Sequence, residues 1–152
     1  MIVQYDSREQ KSSRERITKQ FDKLGIEHFC SKMYVGDYCD PTNPKRIVER
    51  KKSIGELALN LTVHHKRFVA ELDRAKMLGS HITILIEENK IDGKPITELS
   101  DLILWSSEHT QIRGERLYRI LSSLTNRYEL DVCFCDKRST GKRIVEILEK
   151  EN

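Results

Sequence analysis

The stretch VGDYCDPTNPKRIVERK, residues 35–51, decides the fold. Its centre at 40–44, Asp-Pro-Thr-Asn-Pro, has the composition of a turn, and the segments on both sides predict two strands that pair as a hairpin. Side chains alternate between faces along the second strand, Arg46–Lys51, so Glu49 and Lys51 project together from one face. A return through the turn brings Asp37, on the first strand, opposite Glu49.

Strands and helices alternate on both sides of this hairpin. The other predicted strands are Ile2–Tyr5, the extended segments Glu27–Met33 and Tyr34–Cys39, His81–Glu87 and Val132–Cys135. The predicted helices run from Ser12 or Ser13 to Gly25, from Ser53 to Gly79 with a bend at Thr62–His65, and over Thr97–Trp105, Glu115–Tyr128 and Thr140–Lys150. This order predicts a single mixed α/β domain over residues 1–152.

Composition excludes a membrane protein and fits an intracellular one. Hydrophobic residues make up 38% of the 152 and charged residues 34%, and the longest apolar stretch, Ile82–Ile86, is far too short to span a bilayer. The N-terminus becomes charged too early for a secretory signal, so we expect a cytoplasmic protein in a prokaryote or virus, or a nuclear one in a eukaryote. The four cysteines lack the spacing of a zinc site and are expected to be reduced thiols. Net charge is only +3, but lysines and arginines are clustered. Such clusters suit a phosphate backbone, although a run of charges is more often a solvated face.

The chemistry predicted for the hairpin follows from its two facing carboxylates. Asp37 and Glu49 repel each other unless one takes up a proton or a cation neutralises both. An oxygen-ligand ion such as Mg²⁺ or Mn²⁺ suits such a pair, and Lys51 beside them can hold an attacking water or the charge that builds on a phosphorus atom. The alternative is that Asp37 is a turn residue and that Glu49 and Lys51 belong to an exposed run of alternating charges.

Three short motifs in order change the balance between these alternatives. Asp6-Ser7-Arg8-Glu9, Val35-Gly36-Asp37-Tyr38 and Val48-Glu49-Arg50-Lys51 together resemble the nuclease domain of the ERCC4-type (XPF/Mus81) structure-specific endonucleases. That family has a D-x-R-E start, a G-D after the second strand and E-R-K on the third. The resemblance extends from residue 2 to about residue 88, and the pattern of strands and helices continues to residue 150.

The resemblance implies a PD-(D/E)xK nuclease-like fold, in which helices flank a mixed central sheet, and a metal-dependent endonuclease that cuts branched or flap DNA in repair or recombination. Under it, the residues are assigned one by one. Asp37 and Glu49 would bind Mg²⁺ or Mn²⁺, Lys51 would serve the water, and Glu9, with Asp6 beside it, would complete the acidic cluster. The arginines would orient carboxylates or contact DNA phosphates: Arg8, Arg50 and Arg67.

The sequence also departs from the family pattern. The family usually has an aspartate four residues after the lysine of E-R-K, where this chain has Gly55, and Glu56 comes one position late. No tandem helix-hairpin-helix module follows within the 152 residues, which leaves open a restriction-like or mobile-element nuclease without junction specificity. A catalytically idle nuclease fold used for DNA binding or as a scaffold is the other alternative, and the retained acidic residues argue against it.

The C-terminal half also suggests self-association. Three helices with apolar stripes are predicted after the last long strand, and a small sheet offers limited surface to cover them. We therefore expect a homodimer through this half, with Leu102 and Trp105 among the apolar residues available to a partner. The alternative is that all three stripes are buried within one core.

Overall fold

A computed structural model describes residues 1–151. The strands are β1 (Ile2–Tyr5), β2 (Glu27–Cys30), β3 (Tyr38–Cys39), β4 (Arg46–Lys51), β5 (His81–Ile86), β6 (Lys90–Ile91), β7 (Lys94–Pro95) and β8 (Asp131–Phe134). The α-helices are α1 (Lys11–Lys23), α2 (Ile54–Leu61), α3 (His65–Met77), α4 (Gly114–Tyr128) and α5 (Thr140–Glu149), and short 3₁₀ helices cover Leu99–Leu104 and Lys137–Ser139. None of the helices in the described part of the chain is both long and apolar enough to cross a membrane.

Six strands form one mixed sheet in the order β2-β1-β3-β4-β5-β8. The central hairpin is antiparallel, with Tyr38 opposite Val48 and Cys39 opposite Ile47. β4 then pairs in parallel with β5 over all six of its residues, and β8 continues the parallel part beyond β5. The predicted fold, a mixed central sheet flanked by helices, is thus confirmed, and so is the predicted hairpin.

The sheet separates two hydrophobic cores. On one face, α2, α3, α4 and the 3₁₀ helix at Leu99–Leu104 cover strand residues such as Ile47 and Ile84. On the other face, α1 and α5 cover Val48 and Leu85. Because β4 has a helical layer on both sides, all its residues from Ile47 to Lys51 are buried, including its three charged ones.

Several element boundaries differ from those predicted. α1 begins at Lys11 rather than after a serine cap, because a turn joining the Glu9 N–H to the Asp6 carbonyl leads straight into the helix, whose cap position is Gln10. The two extended segments at 27–39 shorten to β2 and β3. Between these strands the Met33 N–H donates to the side chain of Asp6 instead of to a neighbouring strand. The predicted bend at Thr62–His65 is a break between α2 and α3.

The segment predicted as a helix over Thr97–Trp105 is a 3₁₀ helix that ends at Leu104. Leu102 is fully buried and Trp105 is 8% exposed, so the prediction that these two side chains remain available to a partner is wrong. Both belong to the core beneath α4. The apolar residues of this segment that do face outward are Ile103 and Leu104.

The cysteines are not paired by disulfides within residues 1–151. Cys133 lies on β8 and Cys135 directly follows it. Both thiols pack against the core formed with α1 and α5, because residues two apart on an extended chain face the same side.

Candidate active site

The centre of the candidate site is the hairpin of β3 and β4. Asp37 lies one residue before β3, and its N–H donates to the Val48 carbonyl at 2.9 Å. Its Oδ2 accepts the N–H of Arg50 at 2.7 Å, across the hairpin. The continued register therefore sets Asp37 opposite Glu49, as the sequence predicts. Gly36 turns the chain into this position with φ of +76°, a conformation that favours glycine.

Glu49 and Lys51 share the face of the sheet that α3 covers. Lys51 Nζ lies 3.0 Å from Glu49 Oε1, and both side chains are at least nine-tenths buried. The same ammonium stands 5.2 Å above the centroid of the Phe68 ring on α3. Lys52, the other lysine after Arg50, is exposed. The structure therefore places Lys51, not Lys52, beside the carboxylates.

Burial and mutual repulsion control the protonation of the two carboxylates. Burial first, and then the charge of Glu9, raise the pKa of Asp37 to about 7, although the Arg50 N–H opposes the shift. Burial first, and then the charge of Asp37, raise the pKa of Glu49 well above its usual value. Lys51 experiences opposite effects: burial lowers its pKa, but the charge and hydrogen bond of Glu49 outweigh burial, and its pKa is raised.

Glu49 is incompletely satisfied. Its Oε1 accepts from Lys51, whereas its Oε2 is buried without a hydrogen-bond donor among residues 1–151. A buried carboxylate oxygen that lacks a partner is costly. This orphaned oxygen is therefore a position that a cation or a proton would stabilise.

Arg50 projects to the opposite face, into a buried ionic network. Its guanidinium donates twice to Glu9, from Nε at 2.9 Å and from Nη2 at 2.6 Å, and its Nη1 bonds Glu87. Glu87, just after β5, is fully buried and also bonds Arg16 at 2.7 Å and the Thr140 hydroxyl. The network thus ties β4 to α1 and α5.

This network decides between the roles predicted for Arg50 and limits the role predicted for Glu9. The side chain of Arg50 is only 5% exposed and is held by Glu9 and Glu87, so it is placed to orient carboxylates rather than to contact a DNA phosphate. Glu9 is held by Arg50 and by the Tyr38 hydroxyl, which donates at 2.8 Å. It acts on Asp37 through its charge, without joining Glu49 on the other face of the sheet.

Asp6 and Arg8 form the loop that precedes α1. Asp6 is 2% exposed, and its two oxygens accept from the Met33 N–H and from Arg8 Nε, each at 2.8 Å. Arg8 also donates to the Met33 carbonyl, yet its side chain remains 64% exposed. Asp6 is therefore an organiser of the loop, and Arg8 is the member of this pair that solvent and a ligand can reach.

Arg67 lies exposed near the start of α3. Its spacing of four residues from Glu71 on the same helix would allow a surface ion pair, but within the described residues no ion pair joins them. Glu71 instead turns toward the hairpin, where its Oε1 accepts the Gly36 N–H at 3.0 Å.

Sequence reasoning overlooked Glu71 and Glu87 as parts of this region. Glu87 had a usable signal, because it follows β5 at the edge where the parallel neighbour β4 also ends. Glu71 had a weaker one: it flanks the buried helical stripe of Phe68, Leu72 and Ala75, so its side chain emerges at the border of the core.

The sequence model of the ERCC4 domain family matches residues 5–148. The chain belongs to the ERCC4 domain family. The family resemblance seen in the three motifs is thereby confirmed. A search among curated proteins finds no significant match.

Solved structures show the same fold as this ERCC4 domain. XPF from Aeropyrum pernix superimposes with a TM-score of 0.71 at 20% sequence identity, over 97% of this chain and 63% of that one. The complex of the Aeropyrum pernix XPF with DNA gives a TM-score of 0.70, also at 20% identity, over 97% and 62% of the two chains. The chain thus spans less than two thirds of the length of these solved chains.

The donor set of the ERCC4 domain fits a hard divalent cation. Asp37 and Glu49 offer carboxylate oxygens, one of them the orphaned Oε2 of Glu49, and Mg²⁺ and Mn²⁺ prefer such ligands. Across residues 1–151, no three histidine, cysteine or acidic side chains already stand at the spacing of a closed metal site. This arrangement suits an ion that is held by a couple of carboxylates and keeps several waters, as Mg²⁺ usually does.

Proposed function

We propose that this chain is a divalent-metal-dependent endonuclease domain that hydrolyses phosphodiester bonds in DNA, with Asp37, Glu49 and Lys51 as its catalytic centre. The observation that carries the proposal is the pair of facing carboxylates, Asp37 and Glu49, beside the buried Lys51, in which one oxygen of the buried Glu49 lacks a partner. Membership of the ERCC4 domain family supports it.

Asp37 and Glu49 would hold Mg²⁺ or Mn²⁺. When bound, the ion would polarise the phosphodiester, lower the pKa of a water and stabilise the leaving oxygen. Asp37 is fixed for this role by the N–H of Arg50, and Glu49 by Lys51. Glu9 lies too deep in the Arg50 network to serve as a direct ligand. We therefore propose that Glu9 acts on Asp37 through its negative charge and does not contact the ion.

Lys51 acts as a cation rather than as a base. Its pKa is raised by Glu49, so the ammonium keeps its protons at neutral pH and cannot accept one from the attacking water. It can donate hydrogen bonds to that water or to the phosphate oxygens that gain charge during attack. The proton released by the water therefore passes to a carboxylate or to solvent.

Two exposed arginines near the site are suited to DNA phosphates. Arg8 comes from the loop before α1 and Arg67 from the start of α3, the helix that also carries Glu71 toward the hairpin. Phosphate contacts of this kind position a duplex without reading its sequence. One solved structure of similar fold is XPF from Aeropyrum pernix in complex with DNA, which supports a DNA substrate here. We propose branched or flap DNA as that substrate.

We also propose a homodimer, now without Leu102 and Trp105 in its interface. The exposed Ile103 and Leu104, in the 3₁₀ helix that precedes α4, are the remaining apolar candidates in that part of the chain. Light scattering at micromolar concentration tests this proposal, and a single species near 18 kDa with and without DNA would refute it.

The activity is tested with labelled duplex, single-stranded, flap and four-way DNA, each incubated with Mn²⁺, with Mg²⁺ and with EDTA. We expect cleavage of flap or four-way DNA that requires the metal. Lys51→Met should lower the cleavage rate by about 100-fold or more, since losing a charge-stabilising group costs roughly 3 kcal/mol of transition-state stabilisation. The matched control is Lys52→Met, which alters the exposed neighbour. Equal rates for the two variants, or cleavage in EDTA, would overturn the proposal.

A further inference from the structure

Glu71 links helix α3 to the loop that carries Asp37. Its Oε1 accepts the N–H of Gly36 at 3.0 Å, and Gly36 immediately precedes Asp37. Half-buried at the border of the core, the side chain has one oxygen anchored and the other available. The contact joins residues 35 positions apart, so it belongs to the folded site and not to local helix geometry.

After burial and the charge of Asp37, the charge of Glu71 is among the causes that raise the pKa of Glu49. Two carboxylates have no proton to donate to each other unless one of them is protonated. Glu49 is 8% exposed, and its Oε2 has no donor among residues 1–151. This orphaned oxygen independently indicates that a cation would stabilise these groups.

The local charges do not balance. Once deprotonated, Asp37, Glu49 and Glu71 bring three negative charges to this side of the sheet, and Lys51 brings one positive charge. The neighbouring arginines are committed elsewhere, Arg50 to Glu9 and Glu87 and Arg8 to Asp6. The remainder is a deficit of two positive charges, which one divalent cation supplies.

We propose that Glu71 is the third acidic residue of the divalent-cation site, adding its charge to those of Asp37 and Glu49. The inference rests on the proposed function, because it assigns a residue to the same site. Neither position 55 nor Glu56 fills this role: Gly55 has no side chain, and within the described residues the Glu56 carboxylate has no polar contact that ties it to the site. The contribution of Glu71 is electrostatic, with its orientation fixed by Gly36.

Glu71→Gln isolates the charge, because the amide oxygen of glutamine can still accept the Gly36 N–H. Calorimetric titration of Mn²⁺ into the DNA-free protein at pH 8 should show binding at least about tenfold weaker than in the wild type, since the negative charge around a cation site tunes its affinity. Glu56→Gln removes the same charge from the rival position and should bind Mn²⁺ like the wild type. Melting temperatures measured without metal verify that each variant is folded.

A second variant separates charge from anchoring. Glu71→Ala loses both, so similar losses of Mn²⁺ affinity in Glu71→Gln and Glu71→Ala support the proposal. A loss confined to Glu71→Ala would assign Glu71 to the loop alone and overturn it, as would a loss in Glu56→Gln as large as that in Glu71→Gln. If wild-type protein bound no Mn²⁺ at all, the metal-dependent function would fail together with this inference. Normal binding in Glu71→Gln would overturn only the inference.

Discussion

Asp37→Asn should stabilise the metal-free protein while it removes activity. Burial and the charge of Glu9 raise the pKa of Asp37 from 3.8 to about 7 in the folded state. The folded protein therefore holds a proton that the unfolded chain releases, and its stability falls as pH rises from about 4 to about 7. Asparagine stays neutral and can still accept the N–H of Arg50, so this loss should disappear.

The size of the effect follows from the shift. A shift from 3.8 to about 7 corresponds to about 4 kcal/mol at 1.36 kcal/mol per pKa unit. Asp37 is partly exposed, and solvent screens part of that energy. We therefore expect Asp37→Asn to raise the free energy of unfolding by about 2 kcal/mol at pH 8, and by little at pH 4.

Urea denaturation in EDTA, at pH 4 and at pH 8, measures the difference. Adding Mn²⁺ should stabilise the wild type, because ligand binding to the folded state adds to its stability, and should leave Asp37→Asn unchanged. The cleavage rate of the variant should fall by about 100-fold or more. A variant no more stable than the wild type at pH 8, or one that cleaves at near wild-type rates, would refute this reasoning.

The remaining predictions concern the supports of the site. Arg50→Met should lower the free energy of unfolding, measured by urea denaturation, by about 3–5 kcal/mol, because it leaves buried carboxylates without their partner. Adding Glu87→Gln should recover part of this loss. Additive losses in the double variant would contradict an ionic network that joins Arg50 to Glu87. Gly36→Ala should cost about 2–3 kcal/mol, since its Cβ would collide with an isoleucine side chain of β4 at a positive φ. Gly25→Ala, at φ of +69° in open space, should cost only about 1 kcal/mol by the same measurement; equal losses would contradict the collision. Mn²⁺ affinity should rise with pH up to about 7, by at most about tenfold per unit for each proton displaced from Asp37, and a flat calorimetric profile between pH 5 and 7 would contradict it.

The hairpin could be predicted from sequence because its information is local. A turn of known composition fixes which residues of two short strands meet, and alternation then puts Glu49 and Lys51 on one face. Asp37 follows from the same register. This much of the site needed no knowledge of the remaining fold.

The rest depends on contacts between distant residues. Glu71 and Glu87 reach Gly36 and Arg50 across 35 and 37 positions, and helical or strand periodicity carries no information about such pairs. The segment at 97–105 has a helical apolar pattern, but it winds as a 3₁₀ helix in which the side chain of Asp101 accepts the N–H of the cap residue, Glu98. Gly114 at the start of α4 packs directly on its backbone carbonyls. Tertiary packing thus overrides the local preference there.

The two faces of β4 make the strand intolerant of a change in register. A slip of one residue against β5 would turn Arg50 toward α3 and drive Glu49 and Lys51 into the apolar core on the side of α1 and α5. An insertion within the strand would therefore destroy the ionic network and the carboxylate site in a single event. The turn at 40–45 lies outside the paired residues of β3 and β4. Insertions and deletions in related proteins should therefore be found in this turn.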